Sequence, residues 1–251
     1  MPTTIAVAGK GGTGKTTFTA LVIRYLAEKK KSILAVDADP NSNLNEALGL
    51  DLQHFISDFV AETKSIGALP AGMSKQQFIQ YRLASAIAES DFVDLIAMGQ
   101  PEGPGCYCYP NDLIKANMSS LAKNYDYLVL DNEAGLEHLS RRIAEDVNYL
   151  FVLSDTSARG IRSAGRVKEI LDELKTKVDH VYLVVSKVKD GDMERLADQI
   201  AKTGLEVIGS VPADPNIEQF DLDGKPLFNL PADSPAVQAV YGIIGKVPGL
   251  K

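Results

Sequence analysis

Cysteine is nearly missing from this chain: its 251 residues contain two, Cys106 and Cys108. A fold with so few thiols does not rest on a disulfide framework, and a pair one residue apart closes too small a ring to stabilise much. Positive charge is also short, with 26 Lys and Arg against 33 Asp and Glu and a net charge of −7. A protein whose main surface tracks nucleic-acid phosphates needs a basic stripe, so this balance argues against nucleic acid as the partner. Apolar runs of membrane length are absent, and the opening MPTTIAVAGK runs straight into a strand-like stretch. The expectation is a cytoplasmic protein with neither a secretory leader nor a membrane partner. The stretch Val237–Lys251 holds Gly242, Gly245, Pro248 and Gly249 and few cations, a poor composition for a membrane-surface helix. Histidine numbers three, and none of His54, His138 and His180 has metal spacing to a second ligand. His180 is expected to start a strand, and His138 stands near Glu133 as an outlying candidate for supporting a site.

What is present begins at residues 9–17, Gly-Lys-Gly-Gly-Thr-Gly-Lys-Thr-Thr, directly after the apolar run Ile5-Ala6-Val7-Ala8. Gly9, Gly14, Lys15 and Thr16 fit the phosphate-loop spacing G-x-x-x-x-G-K-[ST]. Glycines let the backbone turn its N–H groups around a polyphosphate, Lys15 offers an ammonium to the β and γ oxygens, and Thr16 offers a hydroxyl to Mg²⁺. Gly9, Gly11, Gly12, Thr13, Gly14 and Thr17 complete the cradle, and the following helix adds its positive end. The same letters satisfy G-x-G-x-x-G at Gly9, Gly11 and Gly14, with Asp37 near the place of a ribose carboxylate, so a dinucleotide-binding oxidoreductase is a rival reading. A dinucleotide loop approaches its pyrophosphate by backbone alone, which leaves Lys15-Thr16-Thr17 unexplained there. Lys10, a second lysine inside the loop, is the more discriminating residue.

Length and a 45% apolar content suit one full core, so the chain is read as a single domain over residues 1–251. Strand-like runs recur at Ile5–Ala8, Ser32–Val36, Asp94–Met98, Tyr127–Leu130, Tyr149–Leu153, Val181–Val185 and Val207–Val211. Helical periodicity falls between them at Thr17–Lys29, Asn111–Lys123, Ile161–Lys177 and Met193–Lys202. The alternation predicts an α/β fold, a single-domain P-loop NTPase with a mostly parallel central sheet of about seven or eight strands and helices on both faces. Residues 50–91 read as a helical insertion serving as a lid or partner surface.

In such sheets ligands bind beyond the carboxyl ends of the strands. Two acidic segments fall there: Asp37-Ala38-Asp39-Pro40 after the second strand, and Asp131-Asn132-Glu133-Ala134-Gly135 after the fourth. Asp131 ends an apolar run in the place of a Walker-B carboxylate that supports Mg²⁺. Asp39 is placed to orient the attacking water, and Asp37 also fits a helix N-cap.

The loop with Lys10, the Asp37–Pro40 segment and the Asp131 region together resemble the deviant-Walker ATPases, which include partition and septum-site ATPases and the nitrogenase iron protein. The resemblance covers most of the chain. It implies that ATP joins two subunits face to face and that Lys10 reaches the partner's phosphates, stabilising charge in trans. Within that family, Gly105-Cys106-Tyr107-Cys108 and Asp131 to His138 are similar to the accessory ATPases that mature the nickel sites of carbon monoxide dehydrogenase and acetyl-CoA synthase. That similarity implies a metal loop at residues 104–110 on a dimer interface, a homodimer formed with ATP or metal, and a nickel enzyme as client. Two thiolates per chain are too few for a closed soft-metal site, and a two-fold axis turns them into four. Four sulfurs suit tetrahedral Zn²⁺ or square-planar Ni²⁺, and ligand type alone does not choose. Pro104, Gly105 and Pro110 frame the pair as a loop. The chain departs from the family in two places. Family members often carry Asn before a basic residue after the sixth strand to read adenine, whereas Ser186-Lys187 stands here, leaving Ser186 and the Val211–Asp214 loop with Pro212 as the base-binding candidates. The iron protein also draws its cysteines from widely separated places, so a bridged iron–sulfur cluster fits less well. The alternative reading is a partition-type switch that acts through DNA, membrane or protein partners.

Overall fold

The computed structural model describes residues 2–59, 72–100, 117, 121–132, 146–174 and 177–250. Seven strands form one sheet: β1 Thr3–Gly9, β2 Ile33–Asp37, β3 Asp94–Ala97, β4 Tyr127–Asp131, β5 Asp146–Ser154, β6 Lys177–Val188 and β7 Glu206–Pro212. Their spatial order is β3-β2-β4-β1-β5-β6-β7, and every neighbouring pair is parallel. All seven apolar runs are therefore strands of an α/β sheet, and β1 sits at its centre.

Side chains alternate across a strand, and here both faces are apolar. Ile5, Val7, Val129, Phe151 and Val184 enter one core with α1 (Lys15–Glu28), α2 (Leu44–Leu48) and the C-terminal helix Pro235–Ile244. Ala6, Ala8, Leu128, Leu130, Val152 and Val185 enter the other with α3 (Lys75–Ser85), α4 (Ala158–Gly165), α5 (Val167–Leu174) and α6 (Asp192–Thr203). After β7 come α7 (Pro215–Leu222) and then α8, the Pro235–Ile244 helix. Phe18 of α1 meets Phe151 of β5 with ring centroids 5.3 Å apart, which locks the helix behind the loop onto the sheet.

The long helix expected over Ile161–Lys177 is two helices with a joint at Arg166, and Lys177 already belongs to β6. At the joint the Arg166 N–H donates to Ser163 three residues back, a tighter turn than the α-helix uses. Gly165, just before it, lies so close to α6 that a Cβ there would be 3.3 Å from the Thr203 Cα.

Within 50–91 the described residues cover the β3–β2 end of the sheet. Ile56, Phe59, Leu83 and Ala86 are buried against Leu34, Val36 and Ile96. The helix α3 begins with a reciprocal cap, Ser74 Oγ accepting from the Gln77 N–H while Gln77 Oε1 accepts from the Ser74 N–H. At the other edge α8 buries Val237, Val240, Ile243 and Ile244. The residues after it are tied down by the hydroxyls of Tyr149 and Tyr127, which donate to the carbonyls of Pro248 and Gly249. No described helix is long and apolar enough to cross a membrane.

Candidate active site

The site forms where β1, β2 and β4 end side by side, because the register pairs Val7 with Asp131 and Asp37 with Asp131. Out of β1 the chain turns at Gly9, where a Cβ would stand 2.3 Å from the Leu153 carbonyl oxygen, so only glycine passes. Gly12 and Gly14 sit at φ +78°, the left-handed conformation that glycine adopts without steric cost. Helix α1 then starts at Lys15 with no side-chain cap. Its first N–H groups have no partner within the helix, the arrangement that suits an anion.

Side chains hold the loop's carbonyls. The Lys10 carbonyl accepts from Thr13 Oγ1 at 2.8 Å and lies 3.5 Å from Lys15 Nζ. The Gly12 carbonyl accepts from Lys187 Nζ at 2.9 Å, and the Thr13 carbonyl from Ser186 Oγ at 2.7 Å. Lys15 is 8% exposed, while Lys10 and Gly11 are exposed.

Thr16 donates to Asp131 Oδ2 at 2.7 Å, and Thr19 Oγ1 lies 3.1 Å from Oδ1 and 2.9 Å from the Lys15 carbonyl. Asp131 is 1% exposed. Burial pushes its carboxyl up to about 6, against the pull of the Thr16 hydroxyl, the Lys15 charge and the Thr19 hydroxyl. Asp37 is fully buried, and burial, with the neighbouring Asp131 charge second, pushes it up to about 7. Its oxygens accept the backbone N–H of Asp39 at 3.0 Å and of Leu44 at 2.9 Å, so it caps α2 from the end of β2. Asp39 is half-buried, and its Oδ1 closes a turn on the Asn41 N–H and side-chain amide.

A cleft of about 760 Å³ opens beside Thr16 and Thr17, between Asn43 and Glu46 on one side and Phe220 and Lys225 on the other. Pro212 ends β7 and is half-buried. Two residues on, Asp214 is a structural joint: it accepts from the Asn216 N–H, the Ser234 hydroxyl and the Ala236 N–H, tying the starts of α7 and α8 together. His54 packs on Phe59, and His180 lies inside β6 with its ring stacked against Tyr149 and Tyr182. Cys106, Cys108, Glu133 and His138 lie outside the described residues.

Lys10, Lys15, Thr16, Asp37, Asp39 and Asp131 thus come from three strand ends to one place, as strand-end chemistry requires. Thr19 and Lys187 are additions that motif reading did not assign. The three-residue spacing from Thr16 to Thr19 put both on one face of α1, and that was the available signal.

Residues 4–227 match the CobQ/CobB/MinD/ParA nucleotide binding domain, so the chain belongs to this family and is a P-loop ATPase of the deviant-Walker kind. Among individual proteins, it is 43% identical over 247 residues to an uncharacterized ATP-binding protein of Methanocaldococcus jannaschii, covering 97% of each chain. It is 30% identical over 241 residues to the carbon monoxide dehydrogenase accessory protein CooC of Rhodospirillum rubrum, covering 90% of this chain and 89% of that protein. Its fold is similar to the MinD cell division protein of Aquifex aeolicus, with a TM-score of 0.70, 23% identity and 99% of each chain covered. It is likewise similar to the septum site-determining protein MinD of Pyrococcus horikoshii, solved with Mg-ADP, at a TM-score of 0.71, with 21% identity and 100% and 97% of the two chains covered.

Proposed function

We propose that this ATPase is a metallochaperone that dimerises on Mg-ATP, closes a metal ion between Cys106 and Cys108 of two subunits, and delivers nickel to an enzyme of the carbon monoxide dehydrogenase/acetyl-CoA synthase kind. The observation that carries the reading is the Cys-x-Cys pair in an otherwise cysteine-free chain, in a protein 30% identical to CooC. Four thiolates on a two-fold axis are a soft donor set that takes Ni²⁺ or Zn²⁺. The acidic net charge and the burial of the apolar face of α8 favour this over a switch that works on DNA or membrane.

The residues at the strand ends fit Mg²⁺ and a triphosphate. Thr16 and Asp131 present two hard oxygens beside one another, the donor type Mg²⁺ takes, and they would hold the ion; when bound it would neutralise phosphate charge. Lys15 and the loop amides bind the phosphates, and Lys10, exposed at the rim, completes the partner's site in trans. Asp39 orients the water that attacks the γ-phosphorus as the bond to ADP breaks. The loose transition state of phosphoryl transfer asks mainly for position and charge, which these groups supply. Opening of the dimer after hydrolysis releases the metal.

The test is the double variant Cys106→Ala/Cys108→Ala, assayed by equilibrium dialysis against Ni²⁺ and by calorimetry with Mg-ATP. Dimer-linked metal binding is expected to vanish while nucleotide affinity stays within about twofold. Unchanged nickel stoichiometry overturns the metal site. A monomer by light scattering under saturating Mg-nucleotide and nickel overturns the whole scheme.

A further inference from the structure

We infer that Ser186 and Lys187 are positioning residues of the phosphate loop, which hold two of its carbonyls from the β6 side and thereby aim its amides. This rests on the family's nucleotide chemistry and not on the metal. The end of β6 is irregular: its register against β7 shifts between Val185 and Val188, and Lys187 adopts φ +57°. A lysine in the left-handed region is strained and persists where its surroundings hold it there. At this place Ser186, 5% exposed, puts its hydroxyl 2.7 Å from the Thr13 carbonyl and 3.1 Å from that of Ser154, and Lys187 puts its ammonium 2.9 Å from the Gly12 carbonyl.

A trans peptide points its C=O and N–H in opposite directions within one plane, and no cis bond occurs among the described residues. Holding the Gly12 carbonyl therefore steadies the Thr13 N–H on its partner within the loop, the Lys10 carbonyl at 3.4 Å, and holding the Thr13 carbonyl fixes the Gly14 N–H on the side away from Ser186. These two peptides are thus oriented before any anion arrives, and less binding free energy goes to ordering the loop. A hydroxyl has one proton. Shared between the Thr13 and Ser154 carbonyls, that of Ser186 is committed to backbone, so the residue serves phosphate affinity where the Asn of related chains is expected to read the base.

The test measures the affinities of ATP, GTP and inorganic tripolyphosphate, which has no base, for Ser186→Ala, Ser186→Thr, Lys187→Met and Lys187→Gly. Ser186→Ala and Lys187→Met are expected to weaken all three ligands alike, by about tenfold each. Ser186→Thr is expected to restore wild-type affinity. Lys187→Gly is expected to bind as weakly as Lys187→Met although its backbone strain is gone. Tripolyphosphate affinity unchanged while ATP weakens, or affinities unchanged throughout, overturns the inference. Lys187 is exposed, so its variants decide the matter even if Ser186→Ala fails to fold. A wild-type protein that binds neither ATP nor tripolyphosphate refutes the nucleotide reading instead.

Discussion

Asp37 and Asp131 stand opposite one another at the ends of adjacent parallel strands, both buried, with the Ala38 N–H donating to the Asp131 carbonyl at 2.9 Å. Two carboxyls so placed do not both ionise readily without a cation, and Asp37 is pushed up to about 7 from the ordinary 3.8 by burial and by Asp131. The folded protein then keeps a proton that the unfolded chain releases near pH 4. Between about pH 4 and pH 7 the native state binds more protons, so stability falls as pH rises through that window and levels off above it. Asp37→Asn removes the effect but loses one acceptor at all pH values. Its stability relative to wild type is expected to improve by roughly 2–4 kcal/mol from pH 4 to pH 8, read by urea unfolding without nucleotide. A pH-independent difference refutes the proton assignment.

Thr16 and Thr19 share Asp131 but divide their work. Thr16→Val removes a hydroxyl assigned to Mg²⁺ together with its 2.7 Å bond to the buried Asp131, and is expected to lower kcat about a hundredfold and to cost about 1 kcal/mol of stability. Thr19→Val removes a buried hydroxyl and is expected to cost about 1 kcal/mol of stability with kcat within about threefold. Steady-state hydrolysis at saturating Mg-ATP, with urea midpoints, checks both, and the reverse pattern contradicts the assignment.

Lys10 is exposed, so Lys10→Ala is expected to leave stability within about 0.5 kcal/mol. Because its proposed role is to supply charge to the partner's site, its loss is expected to lower kcat at least a hundredfold. Mixing Lys10→Ala with a Thr16→Val protein is the sharper measurement. Heterodimers then contain one site with Thr16 of its own subunit and Lys10 from the partner, and activity above either parent is expected. No recovery would place Lys10 in its own subunit's site.

Asp214 joins two helices, and its removal is expected to be structural. Asp214→Ala strands the donors of Ser234, Ala236 and Asn216 and is expected to cost about 2–4 kcal/mol. Burial raises the Asp214 carboxyl, but the Ser234 hydroxyl and the Ala236 and Asn216 N–H groups outweigh it and hold it below the usual 3.8. The ionised form is therefore stabilising above about pH 4, and that contribution is lost as pH falls through the lowered value. The gap between wild type and variant is expected to narrow below pH 4 in acid titrations followed by circular dichroism. A constant gap would show that the carboxylate charge contributes nothing.

The strands and the loop were legible for local reasons: each apolar run of four or five residues between glycines, prolines and amphipathic segments became a strand, and 9–17 became the phosphate cradle. Five strands, β1, β4, β5, β6 and β7, run longer than their apolar runs, because hydrogen bonding continues past the buried residues, as at His180 inside β6, whereas β2 is shifted by one residue and β3 stops at Ala97. The helix expected over Ile161–Lys177 divides at Arg166 although apolar periodicity continues through that residue, and the close approach of Gly165 to Thr203 is a tertiary fact. The carboxylate pair was half legible. Asp37 and Asp131 each stood out at a strand end, but their opposition depends on β2 lying next to β4, which no local pattern states. The same holds for Ser186 and Lys187, whose partners lie 173 and 175 residues away.

The place of β1 between β4 and β5 has a kinetic consequence. The glycine-rich turn follows the strand of this sheet that is made first, yet both neighbours of that strand, and the carboxylate that grips Thr16 from 115 residues away, emerge much later. Closing such distant pairings before they are rewarded makes assembly slow. A nascent chain cut short before Tyr127 thus holds the glycine-rich turn without either neighbour of the strand that precedes it and without the carboxylate that fastens Thr16.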